Sequence, residues 1–351
     1  GLVYAAGAGG YAPGSAGAGG SALASGGAAP PVRAAGAGDS APGSGAGGPV
    51  LASEEYRGDE EKANLEDGIA EAAASSKAEA LHGMGVALAS EGRHEEALEK
   101  LEAALGIYTK LWGKKHADTA SMLSAIGSVY LSQGKLGEAL CHMEEALGIQ
   151  VRVLGREDEQ VVKTRVGIAS VHEERGELVE ALEGFEEVFR IRKRSLGTDH
   201  PEVAGSLVRL ADVYAKQGKL TEALKGYKEA LRILKKALGD DHPRVAGTLI
   251  KMASLHDQQG KYSEALKDYS KALRISKKTH GDQHPEVVSG IENVSTVLGK
   301  QGRHAESFHG FKEALRIRKK RLWDEHPDVG TTYMCMDATY MCMDATYMCM
   351  D

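Results

Sequence analysis

The sequence predicts an all-α protein, a solenoid of six helical hairpins, and three observations carry that prediction. Glycine recurs at intervals of 42 residues, at Gly92, Gly134, Gly176, Gly218, Gly260 and Gly302. Between the glycines, apolar residues fall at i, i+3, i+4 and i+7, the spacing of a helix with one buried face. A Leu-Gly-x-x-His-Pro signature then separates one copy from the next. A fixed period of this length marks an array of one small unit rather than a single globular core. Arrays of this kind present extended binding surfaces and lack an enclosed catalytic cleft.

The chain opens on residues 1–52, nearly all Gly, Ala, Ser and Pro, with Arg33 and Asp39 as the only charges. So little bulky apolar surface cannot offset the entropy of ordering the segment, and it reads as a disordered tail. It lacks the basic and leucine-rich regions of a secretory signal, although small uncharged residues tolerate a transit-peptide reading. Residues 53–74, with Glu54, Glu55, Asp59, Glu60 and Glu61, form at most a short acidic helical lead-in.

The six repeats occupy residues 75–330. In the fourth, Leu207, Leu210, Ala211 and Tyr214 make the stripe of a first helix, and Gly218 stands where that helix must end with positive φ. Leu220, Ala223, Leu224, Tyr227, Ala230, Leu231 and Ile233 make the stripe of a second helix, which Gly239 stops. Ala97, Ala139, Ala181, Ala223 and Ala265 share one register, and Ala104, Ala146, Ala230, Ala272 and Ala314 share another. A methyl group at those places lets two helices approach closely. In the sixth repeat Ser307 and Phe308 replace the Ala-Leu pair, which predicts looser packing there.

Between repeats, the run from Leu196 to Ala204 returns around His242-Pro243, His284-Pro285 and His326-Pro327. Proline suits a helix's first turn, and the preceding Asp-His offers N-cap acceptors. The earlier junctions carry His116-Ala117 and Asp158-Glu159 instead. The histidines at 116, 200, 242, 284 and 326 read as loop caps rather than metal ligands, because equivalent positions lie one repeat apart while zinc needs its donors at about 2.0–2.1 Å.

Three motifs together carry a resemblance: Gly-Lys-Leu-x-Glu-Ala-Leu at 218–224, Ala-Leu-x-Ile at 230–233, and Leu-Gly-x-x-His-Pro-x-Val-Ala at 238–246. They are similar to tetratricopeptide repeats of the 42-residue kinesin light chain type. The resemblance covers about residues 75–330 and implies a right-handed superhelical solenoid of six helix-turn-helix repeats. It also implies a protein–protein interaction module, an adaptor or scaffold whose first helices line a concave groove for extended peptides. The long heptad segment of kinesin light chains is absent from this sequence.

On that first-helix face, offsets of two, five and nine past the leading apolar residue share one side of the helix. They give Arg209, Asp212 and Lys216 in the fourth repeat, Lys251, Ser254 and Gln258 in the fifth, and Asn293, Thr296 and Lys300 in the sixth. The first three repeats carry Gly83, Val86 and Ser90; Ala125, Ser128 and Ser132; Gly167, Ser170 and Glu174. The expectation is a groove with a shallow, neutral first half and a cationic second half. Asn293 matches an asparagine of the family's Asn-Asn-Leu-Ala helix; Arg209 and Lys251 depart from it. Arg209 can clamp a carboxylate through two hydrogen bonds, whereas Lys251 offers a compact charge.

Charge is uneven along the chain. Residues 53–204 carry 18 Lys and Arg against 30 Asp and Glu, while residues 205–327 carry 24 against 15. The expected partner is an acidic protein or peptide. The alternative is a structural spacer or self-assembly element drawn together by its opposite charges. Aromatic residues for base stacking are sparse in the basic repeats, which argues against nucleic acid. No run reaches the about 18–20 apolar residues of a membrane span, and the cysteines form no disulfide or zinc pattern, so a reducing cytoplasmic setting is expected.

No strand-and-glycine phosphate loop and no nucleophile–base spacing is present, so neither catalysis nor a cofactor is expected. Tyr-Met-Cys-Met-Asp-Ala-Thr recurs through the tail from Tyr333 to Asp351. Soft sulfur donors suit Cu(I), but composition alone supports that, and no metal site is assigned. Tyr333, Met336 and Tyr340 fall where a further first helix would place apolar residues, so residues 331–351 are expected to cover the end of the array.

Overall fold

Starts and stops written into the sequence bound the helices between residues 117 and 300. The computed structural model describes residues 51–321 and 327–348, with side chains placed over 67–320 and 327–341. The tail expected to be disordered lies, but for its last two residues, outside that description, as does His326. The chain divides into two compact units, residues 1–107 and 108–351. Among the described residues there are thirteen helices and no strand.

In the first unit, α1 (Leu51–Ser90) runs antiparallel to α2 (His94–Trp112) across the turn at Gly92. The expectation of a short acidic helix followed by a separate repeat helix gives way to one continuous helix of 40 residues. Ala70, Ala72, Ala73, Ala74 and Ala78 bridge the supposed boundary, and alanine has the highest helix propensity. Ala78 is the first fully buried residue among the described side chains; residues 67–73 are exposed, so propensity rather than packing carries the helix there. Gly85 crosses α2 so closely that a Cβ there would lie 2.7 Å from Leu101 Cγ and 3.2 Å from the Ala97 carbonyl.

The second unit contains five hairpins. They are α3 (Ala117–Ser132) with α4 (Leu136–Val153), α5 (Glu159–Glu174) with α6 (Leu178–Leu196), α7 (Pro201–Lys216) with α8 (Leu220–Leu238), α9 (Pro243–Gln258) with α10 (Tyr262–His280), and α11 (Pro285–Lys300) with α12 (His304–Arg321). A thirteenth helix, α13 (Pro327–Met348), follows. From α3 to α13, each helix packs on the next in chain order.

The turn inside each hairpin is a Schellman closure. Gly218, at φ +76°, donates to the Ala215 carbonyl, and Lys219 donates to that of Tyr214. Only glycine holds that φ without strain, which explains the 42-residue spacing. At the junctions the histidine itself is the N-cap. Nδ1 of His116, His200, His242 and His284 accepts from the amide two residues on, at 3.1–3.3 Å, and Asp158 does the same at 2.8 Å. The neighbouring aspartates, expected to share in capping, instead face cations of the following second helix.

Both alanine registers are buried throughout, none more than 2% exposed. Packing then continues from one hairpin to the next: Ala211, Ala223 and Tyr227 of α7 and α8 meet Met252 and Leu255 of α9. Larger residues of the second helices sit against small residues of the first. Where Gly127 faces Met143, an added Cβ would lie 2.7 Å from its Cγ. In the two later hairpins the small partner is on the other helix, and Gly184 and Gly226 meet the methyl groups of Ala169 and Ala211.

The sixth repeat departs from the looseness expected of it. Ser307 is fully buried, and Phe308 reaches α13, its ring centroid 6.0 Å from that of Tyr340. Among the described side chains of α13, Val329, Thr332 and Thr339 are buried, Met336 is half-buried, and Tyr333 and Tyr340 are exposed. Among the described residues the Ser307 hydroxyl has no hydrogen-bond partner. A buried hydroxyl without a partner costs about 1–3 kcal/mol, and the other repeats carry alanine in that register. Ser307→Ala is therefore expected to stabilise the protein by about 1 kcal/mol, measured as a higher urea midpoint.

Candidate functional site

The first helices of successive hairpins carry the row Arg209, Asp212, Lys216, Lys251, Ser254, Gln258, Asn293, Thr296 and Lys300. Proline at N1 and the histidine cap start α7, α9 and α11 at equivalent residues, so equal offsets fall on equal faces. The stacking brings neighbours in the row together across repeats. Lys251 Nζ of α9 lies 2.8 Å from both carboxylate oxygens of Asp212 on α7. Asp212 is mostly buried, with 14% of its side chain exposed, and also accepts a hydrogen bond from the Tyr227 hydroxyl at 2.5 Å. Burial, reinforced by the Asp212 charge, pushes the Tyr227 phenol above its ordinary range, so the hydroxyl stays protonated and donating.

The other lysines of the row are paired as well. Lys216 Nζ is 2.7 Å from Glu173 and 3.8 Å from Glu174, both on α5. Lys300 Nζ is 2.6 Å from Asp257 on α9. The cationic half expected from the sequence is thus largely neutralised by carboxylates of the preceding repeat. Arg209 is the exception: it is exposed and, among the described residues, has neither a hydrogen-bond nor an ion-pair partner.

The remaining members are neutral. Ser254 and Asn293 are half-buried, Gln258 is exposed, and the Thr296 hydroxyl donates back to the Glu292 carbonyl at 2.9 Å within its own helix. In the neutral half, Ser124 and Thr164 meet at 3.0 Å between α3 and α5, and Ser128 bonds within its own helix to the Ser124 carbonyl. Glu173, Asp257 and Tyr227 were not singled out from the sequence, although an opposite charge 43 residues later, one residue beyond the period, marks each of the two carboxylates.

Exposed ion pairs contribute about 0–1 kcal/mol, and partial burial of Asp212 moves its pair to the upper end of that range. A double-mutant cycle on Asp212→Asn and Lys251→Met is expected to give a coupling of about 1 kcal/mol, read from urea midpoints. Strictly additive losses would show that the bridge between repeats does not form in solution.

The tetratricopeptide repeat profile matches residues 76–150, 160–236, 202–278 and 248–320. No curated protein matches the chain. Among solved structures, one similar chain is from Podosopora anserina, described as a kinesin light chain with nearly identical TPR-like repeats: 22% identity, 59% of this chain and 98% of that one covered, TM-score 0.51. BtubC (BKLC) from P. vanneervenii is 19% identical over 68% of this chain and 91% of its own, with a TM-score of 0.54. The apo form of RapI is 15% identical over 76% of this chain and 98% of its own, with a TM-score of 0.51. These likenesses concern the fold; the repeat profile, matched over more than half of the chain, establishes that the protein belongs to the tetratricopeptide repeat family.

Proposed function

We propose that the protein is a non-enzymatic adaptor that binds an extended acidic segment of another protein along the first-helix face of its repeats. Tetratricopeptide solenoids are generally protein-interaction scaffolds, and the residues of the row are the ones this reading assigns to ligand contact. The observation that carries it is the state of Arg209. Every lysine of the row is already compensated, while this guanidinium is exposed and unpaired. Its nearest acidic neighbour in sequence on the face, Asp212, is taken up by Lys251 and Tyr227.

A carboxylate docking on Arg209 gains a charge-assisted, two-point hydrogen bond with little competition from the chain's own acids. Asn293, Gln258 and Ser254 then offer neutral donors and acceptors to the backbone of an extended peptide. Hydrogen bonds to charged groups are worth about 1.5–3 kcal/mol, so Arg209→Glu is expected to weaken an acidic peptide selected on the wild-type chain by tenfold or more. Fluorescence anisotropy with that peptide checks it, and unchanged affinity would remove the groove reading. The affinity should also fall with salt, since exposed charges are screened beyond about 8–10 Å near physiological ionic strength.

The charge asymmetry, net negative over 53–204 and net positive over 205–327, favours a second reading in which copies of the chain associate through unlike segments. Light scattering at low salt separates the two: a monomer at high protein concentration is incompatible with self-assembly.

A further inference from the structure

A ladder of ion pairs, separate from the first-helix row, runs along the junctions of the second unit. The junction loops that follow α4, α6 and α8 each present an acid to the second helix of the next hairpin. Asp199 and Asp241 meet two cations there, 33 and 37 residues later, and Glu157 meets one, 37 residues later. Glu157 pairs with Arg194 at 2.6 Å. Asp199 meets Arg232 at 3.5 Å and also pairs with Lys236. Asp241 meets Arg274 at 3.0 Å and also pairs with Lys278. The hydrogen bond from the lysine holds both aspartates below the usual carboxylate range.

At the fourth junction the pattern breaks. Gln283 stands where the acid belongs, while the two cations persist as Arg316 and Lys320 on α12. Among the described residues neither has a hydrogen-bond or ion-pair partner. They line, with Gln283, Lys277 and the buried Ile317, a cavity of about 280 Å³. Two acids border it without filling the role. Glu313 sits 3.9 Å from Lys277, and Asp282 corresponds to Asp240, which in its own loop turns back to Lys235 at 2.8 Å on the preceding helix.

We infer that the cavity formed by Gln283, Arg316 and Lys320 is a second recognition site, which takes an acidic side chain of a partner protein in place of the carboxylate that the other junctions supply themselves. An arginine fork and a lysine facing one gap match the geometry of a carboxylate, as the pairs at Asp199 and Asp241 demonstrate. Ile317 gives the gap an apolar floor, and two like charges held side by side are relieved when an anion enters. The site goes beyond the proposed function, because it uses junction and second-helix residues and none of the first-helix row.

The experiment uses the full chain and fluorescein-labelled hexaglutamate as probe, with anisotropy read at about 50 mM salt, where screening is weak. Gln283→Asp supplies the missing carboxylate internally, and Arg316→Ala with Lys320→Ala removes the cations. Each is expected to weaken binding by about fivefold or more. Arg274→Ala with Lys278→Ala, which removes cations already satisfied, and Ser263→Asp, which adds the same charge elsewhere, are each expected to change it less than about twofold. Wild-type affinity for Gln283→Asp, or an equal loss in either control, would overturn the inference. Arg209→Glu in the same assay keeps the two sites apart: loss there alone supports the groove and rejects the junction, while loss at Gln283 alone does the reverse. An unchanged or raised urea midpoint for Gln283→Asp confirms that the variant is folded.

Discussion

A two-helix hairpin can bury only the face between its own helices; its other apolar face needs a neighbour. That constraint governs the second unit. Ala211 and Tyr227 close one hairpin internally and at the same time form the surface on which Met252 and Leu255 of the next one rest. Because the neighbour is a copy of the same sequence, covering the second face also fixes the register. Side chains 39 to 43 residues apart are therefore brought into contact repeatedly, as in Arg244 with Glu202, Lys251 with Asp212, Lys300 with Asp257 and Thr332 with Glu292. The last of these contacts attaches α13. Its Thr332 and the guanidinium of Arg318 share the half-buried Glu292 carboxylate, whose pKa burial raises.

The same register decides where charge is free. A solenoid with many lysines on its first helices is not for that reason a cationic groove, because each repeat also lays down carboxylates one step behind. Lys216, Lys251 and Lys300 are all met in this way. What remains available is set by breaks in the pattern. Arg209 stands where the preceding repeat offers Ser170 rather than an acid, and Arg316 and Lys320 stand opposite Gln283. Within the first-helix row and the junction ladder, unpaired charge is thus a local exception to a repeating rule.

Much of the architecture was legible in the sequence because its physics is local. A glycine at positive φ after a helix, an alanine at a helix crossing and a proline at N1 each act within a few residues, and six copies removed the ambiguity. Histidine capping was readable in part; that the imidazole rather than the aspartate accepts the amide depends on where the aspartate finds its cations, two helices away. The continuity of α1 was missed because the charged run 54–61 masks an alanine-rich bridge that needs no packing partner. Buried Ser307 was read as loose packing, whereas its neighbours hold it closed and leave only its hydroxyl unsatisfied. The paired state of the row was hidden for a different reason. Side chains at 212, 227 and 251 are separated in sequence, and only the stacking of α7, α8 and α9 unites them.

The register between repeats is the claim on which both proposed recognition surfaces rest, and cysteine cross-linking tests it directly. In a chain whose native cysteines are replaced by serine, Ser254→Cys with Asn293→Cys occupies the positions that Asp212 and Lys251 hold one repeat earlier. This pair is predicted to be bridged rapidly within one chain by a short bifunctional maleimide, while Asp212→Cys with Asn293→Cys, two repeats apart, is not. Equal rates for the two pairs, or none for the first, would contradict the account.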